Sequence, residues 1–199
     1  MKPADFLSYY ATKFNTVEVD STFYRTPSVA TVNSWERKTP KGFLLAAKAP
    51  QPITQENVLQ DGDDDLNHFL EAMDLMGDKL GPLLFQFGYF NQTVFKSGDD
   101  FLARLDPFLK KLPKGYKFAV EIRNKKWLSK PFFDLLRAHK VAYALISLPR
   151  RINSPRIFQE FLTKPLQSSR ECNRTTGKVL SITRWGFSLT SPISTNTGI

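Results

Sequence analysis

The chain alternates between short apolar runs and longer segments with a helical repeat. The apolar runs are rich in Val, Phe and Leu, as is typical of β-strands covered on both faces. They occur at 16–23, 42–50, 81–88, 116–123 and 141–149. Successive runs begin 25 to 39 residues apart, close to the ~30 residues of a strand–helix–strand unit. The pattern predicts five parallel strands connected by helices.

The segments around these runs predict helices over 3–14, 26–38, 63–76, 99–112 and 129–140. Thr26, followed by Pro27, is a candidate N-cap of the second helix. Pro107 predicts a kink or a break in the fourth helix. The resulting α/β order fits either a parallel barrel or a doubly wound sheet. The sequence contains neither GxGxxG nor GxxxxGK[ST], which disfavours dinucleotide and P-loop sites.

Polar residues come late in the apolar runs. The carboxyl ends of parallel strands meet on one side of an α/β fold, where binding sites are built. The charged and amide residues collected there are Glu18, Asp20, Lys48, Gln86, Glu121 and Arg123. Because residues i and i+2 of a strand share a face, Glu18 pairs with Asp20 and Glu121 pairs with Arg123. The pattern predicts a ligand site, although strand ends also collect polar residues because they meet water.

The same strand ends have aromatic residues and candidate metal ligands nearby. Phe23, Tyr24 and Trp127 follow the first and fourth runs and could wall a pocket, although such side chains are more often part of a core. Three carboxylates, those of Glu18, Asp20 and Glu121, could hold a divalent cation. The cations Lys48 and Arg123 would compete with it, so no metal site is predicted. The sequence does not identify a cofactor.

Composition indicates a folded protein with no membrane segment. The chain has 199 residues, of which 41% are hydrophobic, enough for a sizeable core. No apolar run approaches the ~18 residues of a membrane helix, and the first residues have no signal-peptide pattern. The single cysteine excludes an internal disulfide framework. We therefore expect a cytoplasmic protein.

The net charge of +9 is concentrated in the last quarter of the chain. Residues 1–149 contain 20 Lys and Arg against 17 Asp and Glu, whereas residues 150–199 contain 8 against 2. A nucleic-acid surface would need cations gathered on one face and interleaved with aromatic residues. The first 149 residues show no such stripe, which disfavours a nucleic-acid partner.

Several strings resemble one known family. KPADFLSYYA, FNTVEVDSTFYRTPS, GFLLAAKAP, LGPLLFQF and FAVEIRNKKW are similar to the YecE-like family, the domain of unknown function 72, over roughly residues 2–149. The resemblance implies a TIM-type barrel and a relation to sugar isomerases, with no established reaction. The recurring polar positions of the family fall on Glu18, Asp20, Tyr24, Lys48, Gln86, Glu121, Arg123 and Trp127.

The chain departs from this family at both ends. The strand that usually precedes the first helix is missing, and the family pattern stops after Pro149. Since a TIM barrel has eight strands and ~250 residues, residues 1–149 are expected to form a partial barrel. Residues 150–199 are a basic tail rich in Ser and Thr. The tail is interpreted as out of frame or disordered, or alternatively as a segment that binds an anionic partner.

Four interpretations of the function remain open. In an enzyme acting on a small polar substrate such as a sugar, Glu18 or Glu121 would be the general base, while Lys48 or Arg123 would stabilise an oxyanion. Tyr24, Gln86 and Trp127 would then contact the ligand. The alternatives are a non-catalytic domain that binds a small ligand, an inactive truncated fragment, and a nucleic-acid contact through the tail. The sequence does not indicate an oligomeric state.

Overall fold

The computed structural model describes residues 2–60, 62–146 and 181–182. The chain divides into two units, Met1–Tyr143 and Ala144–Ile199. The first unit contains one parallel sheet in which the strand order follows the chain. Its strands are β1 (Thr16–Val19), β2 (Leu44–Lys48), β3 (Leu80–Phe87), β4 (Phe118–Ile122) and β5 (Ala142–Tyr143). The five predicted parallel strands are confirmed, and closure of the sheet into a barrel stays a prediction.

In the second unit, β6 (Leu145–Ile146) pairs in parallel with β7 (Ser181–Ile182). The predictions for Ser147 and for most of the tail lie outside the described residues. In the part of the chain that the structure describes, no helix has the length and apolar character needed to cross a membrane. The expected cytoplasmic location stays a prediction.

The helices lie close to their predicted positions. They are α1 (Phe6–Ala11), α2 (Val29–Lys38), α3 (Asp63–Asp74), α4 (Gly98–Lys111) and α5 (Lys130–Ala138). The predicted cap at Thr26 is wrong, because Ser28 is the N-cap of α2 and its side chain accepts a hydrogen bond from the backbone N–H of Thr31. Ser28 stands three residues before that donor, which is the separation that an N-cap bond requires.

Helix α4 continues through Pro107 to Lys111, so the structure has no break there. Proline removes one helical hydrogen bond, but the apolar side of α4 is buried both before and after it. The buried residues are Phe101, Leu105, Phe108 and Leu109. Packing of this face holds both halves of the segment in one helix.

The two faces of the sheet have different chemistry. One face packs against helices: Phe85 of β3 meets Phe108 of α4 edge to face at 5.0 Å between ring centroids. The opposite face carries polar side chains at the strand ends, because alternate residues of a strand point to opposite sides. Gln86 of β3 is in register with Glu121 of β4, so these two side chains are neighbours.

A β-bulge lies between β2 and β3, where Leu45 is in register with Leu80 and Ala47 with Leu83. Gly81 makes the bulge feasible, because a Cβ atom there would lie 3.0 Å from the backbone carbonyl of Leu45. The bulge sets the register that places Lys48 opposite Leu84. Gly81 thus contributes to the strand register that sets the position of Lys48 in the sheet.

Candidate functional site

Lys48 connects the two acids of β1. Its Nζ lies 2.6 Å from Oδ1 of Asp20 and 3.4 Å from Oε1 of Glu18. The Glu18 side chain is only 8% exposed and that of Lys48 15%, whereas Asp20 is 74% exposed. Glu18 is therefore the inner member of the group and Asp20 the outer one. The predicted pairing of the β1 acids with Lys48 is present in the structure.

A second polar pair lies on β3 and β4. Gln86 Nε2 donates a hydrogen bond to Oε1 of Glu121 at 2.7 Å. The Nε atom of Arg123 lies 3.8 Å from the same oxygen, which is an ion pair too long for a hydrogen bond. Glu121 is buried and Arg123 is exposed. Gln86, Glu121 and Arg123 thus come together as the strand pattern predicts.

Electrostatic coupling joins these two groups. Burial raises the pKa of the Glu18 carboxyl above its ordinary value of 4.5; the Lys48 charge opposes the shift, while Asp20 and Glu121 add to it. Burial lowers the pKa of Lys48, but the hydrogen bond to Asp20 and the charges of Glu18, Asp20 and Glu121 outweigh it and raise that pKa overall. The charge of Glu121 on β4 therefore shifts the pKa of Glu18 on β1 and of Lys48 on β2, so the two polar groups are electrostatically coupled.

One oxygen of this cluster has no hydrogen-bond partner among the described residues. Oε2 of Glu18 is buried, and no donor among the described residues reaches it. A buried carboxylate oxygen without a hydrogen bond reduces stability. Glu18 can therefore accept a proton or a hydrogen bond from a ligand without first breaking a bond within the described protein.

Thr22 fixes the geometry of the cluster, although the sequence alone does not indicate this role. Its Oγ1 donates to the carbonyl of Val19 at 2.9 Å and accepts from the backbone N–H of Lys48 at 3.1 Å. The residue is 1% exposed. It thereby ties the end of β1 to the end of β2. A contact across 26 residues depends on strand register, which sequence spacing does not reveal.

Asn124 holds the loop after β4 in place. Its buried side chain accepts a hydrogen bond from the backbone N–H of Phe90 at 2.9 Å and donates to the carbonyl of Phe90 at 2.8 Å. The loop after β3 is thus joined to the loop after β4. The sequence showed Asn124 only as a polar residue between Arg123 and Lys125.

The loop after β2 carries local strain and a buried hydroxyl. A π-helical turn, Pro52–Glu56, follows the strand, and Val58 and Leu59 have φ values of 44° and 66°. Positive φ is uncommon for a β-branched residue and often accompanies functional loops. Oγ1 of Thr54 is buried with no partner among the described residues. The irregular dihedrals could not be inferred from residue types.

Tyr143 is a further residue of this region that the sequence pattern did not single out. It lies on β5, in register with Val120 of β4. Burial and the charge of Glu121 raise the pKa of its phenol to about 12. The phenol therefore stays protonated near neutral pH. Its ring packs edge-on against Phe132 and Phe133.

The two aromatic residues predicted to contact a ligand lie in different surroundings. Tyr24 is exposed, and its ring meets Phe23 edge-on at 5.5 Å. Trp127 stacks on Phe101 at 5.2 Å and also contacts Phe90 and Phe95. The described contacts of Trp127 are thus those of an aromatic cluster that it forms with Phe90, Phe95 and Phe101. Direct ligand contact by Tyr24 and Trp127 stays a prediction.

Within the part of the chain that the structure describes, neither a set of metal ligands nor a large cleft marks the polar cluster at the strand ends. Among the described residues, no three His, Cys, Asp or Glu side chains are arranged to hold a metal ion. Lys48 occupies the position between Glu18 and Asp20 that a cation would take. Two surface clefts of about 400 and 340 Å³ lie elsewhere, one between α1 and α2 and the other beside the beginning of β3. The cluster is therefore defined by its polar contacts and not by either cleft.

The fold and the cluster define a parallel α/β protein with ionisable side chains gathered at the carboxyl ends of its strands. A family model described as "Protein of unknown function DUF72" matches residues 1–183. The chain belongs to this family, which confirms the resemblance noted in the sequence. The match continues beyond Pro149 into the tail, and the domain boundary placed there stays a prediction.

Individual relatives agree with this assignment. The chain is 30% identical to the UPF0759 protein YecE of Escherichia coli K12 over 124 residues, covering 62% of this chain and 43% of that protein. It is 28% identical to the UPF0759 protein YunF of Bacillus subtilis over 134 residues, covering 64% and 46%. The matched region thus spans less than half of each curated relative.

Solved structures of the same family share the fold. A DUF72 family protein of Thermotoga maritima aligns with a TM-score of 0.58 and 26% identity, covering 75% of this chain and 58% of that chain. One from Enterococcus faecalis aligns with a TM-score of 0.54 and 23% identity, covering 75% and 61%. These likenesses support the α/β architecture.

Proposed function

We propose that this chain carries a site for a small polar molecule such as a sugar and catalyses proton transfer on it, as sugar isomerases do. The observation that carries the proposal is Glu18, which combines burial, a raised pKa and an unpartnered oxygen. A buried carboxylate of raised pKa is suited to act as a general base near neutral pH.

The neighbouring groups suit the same chemistry. Glu18 would take a proton through Oε2 from the hydroxyl-bearing carbon next to a substrate carbonyl and return it to the former carbonyl carbon. The proton of that hydroxyl would move to the former carbonyl oxygen, so that the new carbonyl forms on the neighbouring carbon. The carbonyl oxygen gains negative charge as Glu18 takes the proton, and the ammonium of Lys48 is the nearest described cation to Glu18 that can stabilise it. Glu121, whose charge acts on Glu18 and Lys48, and its ion-pair partner Arg123 would orient substrate hydroxyls. Tyr24, Gln86 and Trp127 complete the proposed ligand contacts.

Isotope exchange tests this proposal directly. The protein is incubated in D₂O with a panel of aldoses and ketoses, and replacement of C–H by C–D next to the carbonyl is followed by NMR. We expect exchange with at least one sugar, and its loss in Glu18→Gln, because the amide cannot accept the proton. Glu71→Gln on the exposed side of α3 is the matched control and should retain exchange.

Binding without turnover separates the enzyme from a binding domain. If one sugar raises the melting temperature of the wild-type protein but shows no exchange, the cluster is a binding site only, because a ligand that binds the folded state stabilises it. If no sugar of the panel gives exchange or stabilisation, the proposal is wrong.

A further inference from the structure

The rim of the cluster carries a basic segment with a fixed backbone. Arg123, Lys125 and Lys126 are three exposed cations within four residues at the end of β4. Asn124 between them is buried and bonded twice to the backbone of Phe90. Segment 123–126 is therefore held in position at its centre, and binding would order little additional backbone.

The packing of Trp127 fixes the far end of this segment. Its ring lies against Gly98 at the beginning of α4, where a Cβ atom would be only 3.0 Å from Cδ1 of the indole. The ring also stacks on Phe101 at 5.2 Å and lies nearly parallel to the ring of Phe90 at 6.4 Å. The three cations thus project from a loop that is anchored on both sides.

Arg123 has N–H donors that no residue in the described part of the chain uses. Its side chain is 57% exposed, and the ion pair to Glu121 is made by Nε at 3.8 Å. The guanidinium group therefore retains the paired N–H donors that bind an oxyanion in a bidentate manner. Among the described residues, Lys125 and Lys126 have no ion pair. Within the described part of the chain, the charges of Lys125 and Lys126 are therefore not neutralised by acids, and Arg123 is paired with Glu121.

The interior of the cluster has the opposite character. Glu18 and Glu121 are buried acids, and the free oxygen of Glu18 requires a hydrogen-bond donor. A ligand that satisfies both regions has hydroxyl groups at one end and a negative group at the other. A plain polyol would leave the basic rim unused, and a simple anion would leave Oε2 of Glu18 without a hydrogen-bond donor.

We infer that the substrate is a polyhydroxylated compound with a terminal oxyanion, a phosphate or a carboxylate, which binds to Arg123 with support from Lys125 and Lys126. This inference rests on the proposed function, since it places the hydroxyl end at Glu18. Beyond the proposed function, it gives the ligand an anionic end and assigns the recognition of that end to segment 123–126.

Matched ligands test the inference. Binding of hexoses and hexitols is compared by calorimetry with that of their 6-phosphates and of the corresponding sugar acids. A charge-assisted hydrogen bond contributes enough to tighten binding by about tenfold or more, so one anionic series should bind at least that much more tightly. The series that gains affinity identifies the oxyanion as phosphate or carboxylate. The gain should shrink as salt concentration rises.

Variants locate the effect. In Arg123→Gln the advantage of the anionic ligand should disappear, so that the anionic and the neutral ligand bind about equally. Lys110→Gln, an exposed cation near the end of α4, should keep the advantage. The double variant Lys125→Gln/Lys126→Gln should reduce it partly. Equal melting temperatures of the unliganded proteins show that the variants fold.

The outcomes separate this inference from the proposed function. If neutral and anionic ligands bind equally, or if the advantage survives in Arg123→Gln, the inference is wrong and the proposed site at Glu18 is unaffected. If neither series binds the wild-type protein, both are wrong. If anionic compounds bind but Glu18→Gln does not weaken them, the rim is an anion site separate from Glu18, which overturns the two-ended ligand.

Discussion

Lys48 Nζ lies 3.4 Å from one carboxylate oxygen of Glu18, while the other oxygen of that carboxylate is buried without a described partner. This arrangement places a cation and a free acceptor on opposite oxygens of one carboxyl group. Neighbouring Asp20 completes the pairing of Lys48 at 2.6 Å. Stability and chemistry at the strand ends therefore depend on the same few atoms.

Glu18→Gln should change how stability depends on pH. Burial raises the pKa of Glu18 in the folded protein above 4.5, so the folded state binds this proton more tightly than the unfolded chain does. Stability from this group is therefore lost as pH rises through the raised pKa and regained as pH falls towards 4.5. The free energy of unfolding of the wild type, relative to the variant, should increase between pH 7 and pH 4.5.

Urea unfolding of both proteins at several pH values measures that difference. The contributions of most other titrating groups cancel when the free energy of unfolding of the variant is subtracted from that of the wild type. Glu71→Gln, at an exposed position, should follow the wild type across the same range. A difference that stays constant, or that falls with decreasing pH, would show that the pKa of Glu18 is not raised.

Lys48→Met should destabilise the fold by about 2–3 kcal/mol, because removing one partner leaves the buried Glu18 charge uncompensated. The loss should be smaller at pH 5, where Glu18 is protonated more readily. Lys111→Met breaks an ion pair with Asp63 in which both side chains are more than 60% exposed, so it should cost no more than about 1 kcal/mol. Chemical unfolding of the two variants provides the comparison, and equal losses would refute the buried role of Lys48.

Thr22→Val should cost about 1–3 kcal/mol, since it leaves the backbone N–H of Lys48 without its acceptor in a buried position. Thr22→Ser retains the hydroxyl and should lose much less. Chemical unfolding measures both variants. Comparable losses in the two would mean that the methyl group, and not the hydrogen bonds, makes the contribution of Thr22.

Asn124→Ala should destabilise the protein by about 2–3 kcal/mol, because two buried backbone groups of Phe90 lose their partners. It should also loosen segment 123–126, which faster amide hydrogen exchange of Phe90 would reveal. Asn67→Ala on the exposed face of α3 is the control and should leave both quantities nearly unchanged. Unaltered exchange at Phe90 would contradict the anchoring role of Asn124.

The five parallel strands and the polar cluster could be predicted because both follow from local sequence. Apolar runs at a regular interval indicate parallel strands, and the late position of Glu18 and Lys48 in their runs places them at one end. The direct contact between Gln86 and Glu121 could not be predicted from the sequence, because it depends on the register of β3 against β4. Alternation along a strand gives the face of a residue but not its opposite neighbour.

The parts that the sequence did not reveal depend on longer-range packing. The hydroxyl of Thr22 is indistinguishable in sequence from the many Thr residues at turns, and only the meeting of β1 with β2 gives it a partner. The N-cap at Ser28 was missed because Thr26 precedes a proline and has equal capping chemistry. Pro107 suggested a kink or a break, whereas packing of Phe101 and Phe108 on either side keeps α4 continuous.

The most direct measurement is a titration of the Glu18 side-chain carboxyl by ¹³C NMR, with assignment by Glu18→Gln, in the free protein and with saturating hexose or hexose phosphate. We predict a pKa above 4.5 in the free protein, and a lower value when a ligand hydroxyl donates to Oε2 and stabilises the carboxylate. An ordinary pKa that no such ligand changes would contradict a ligand site at Glu18.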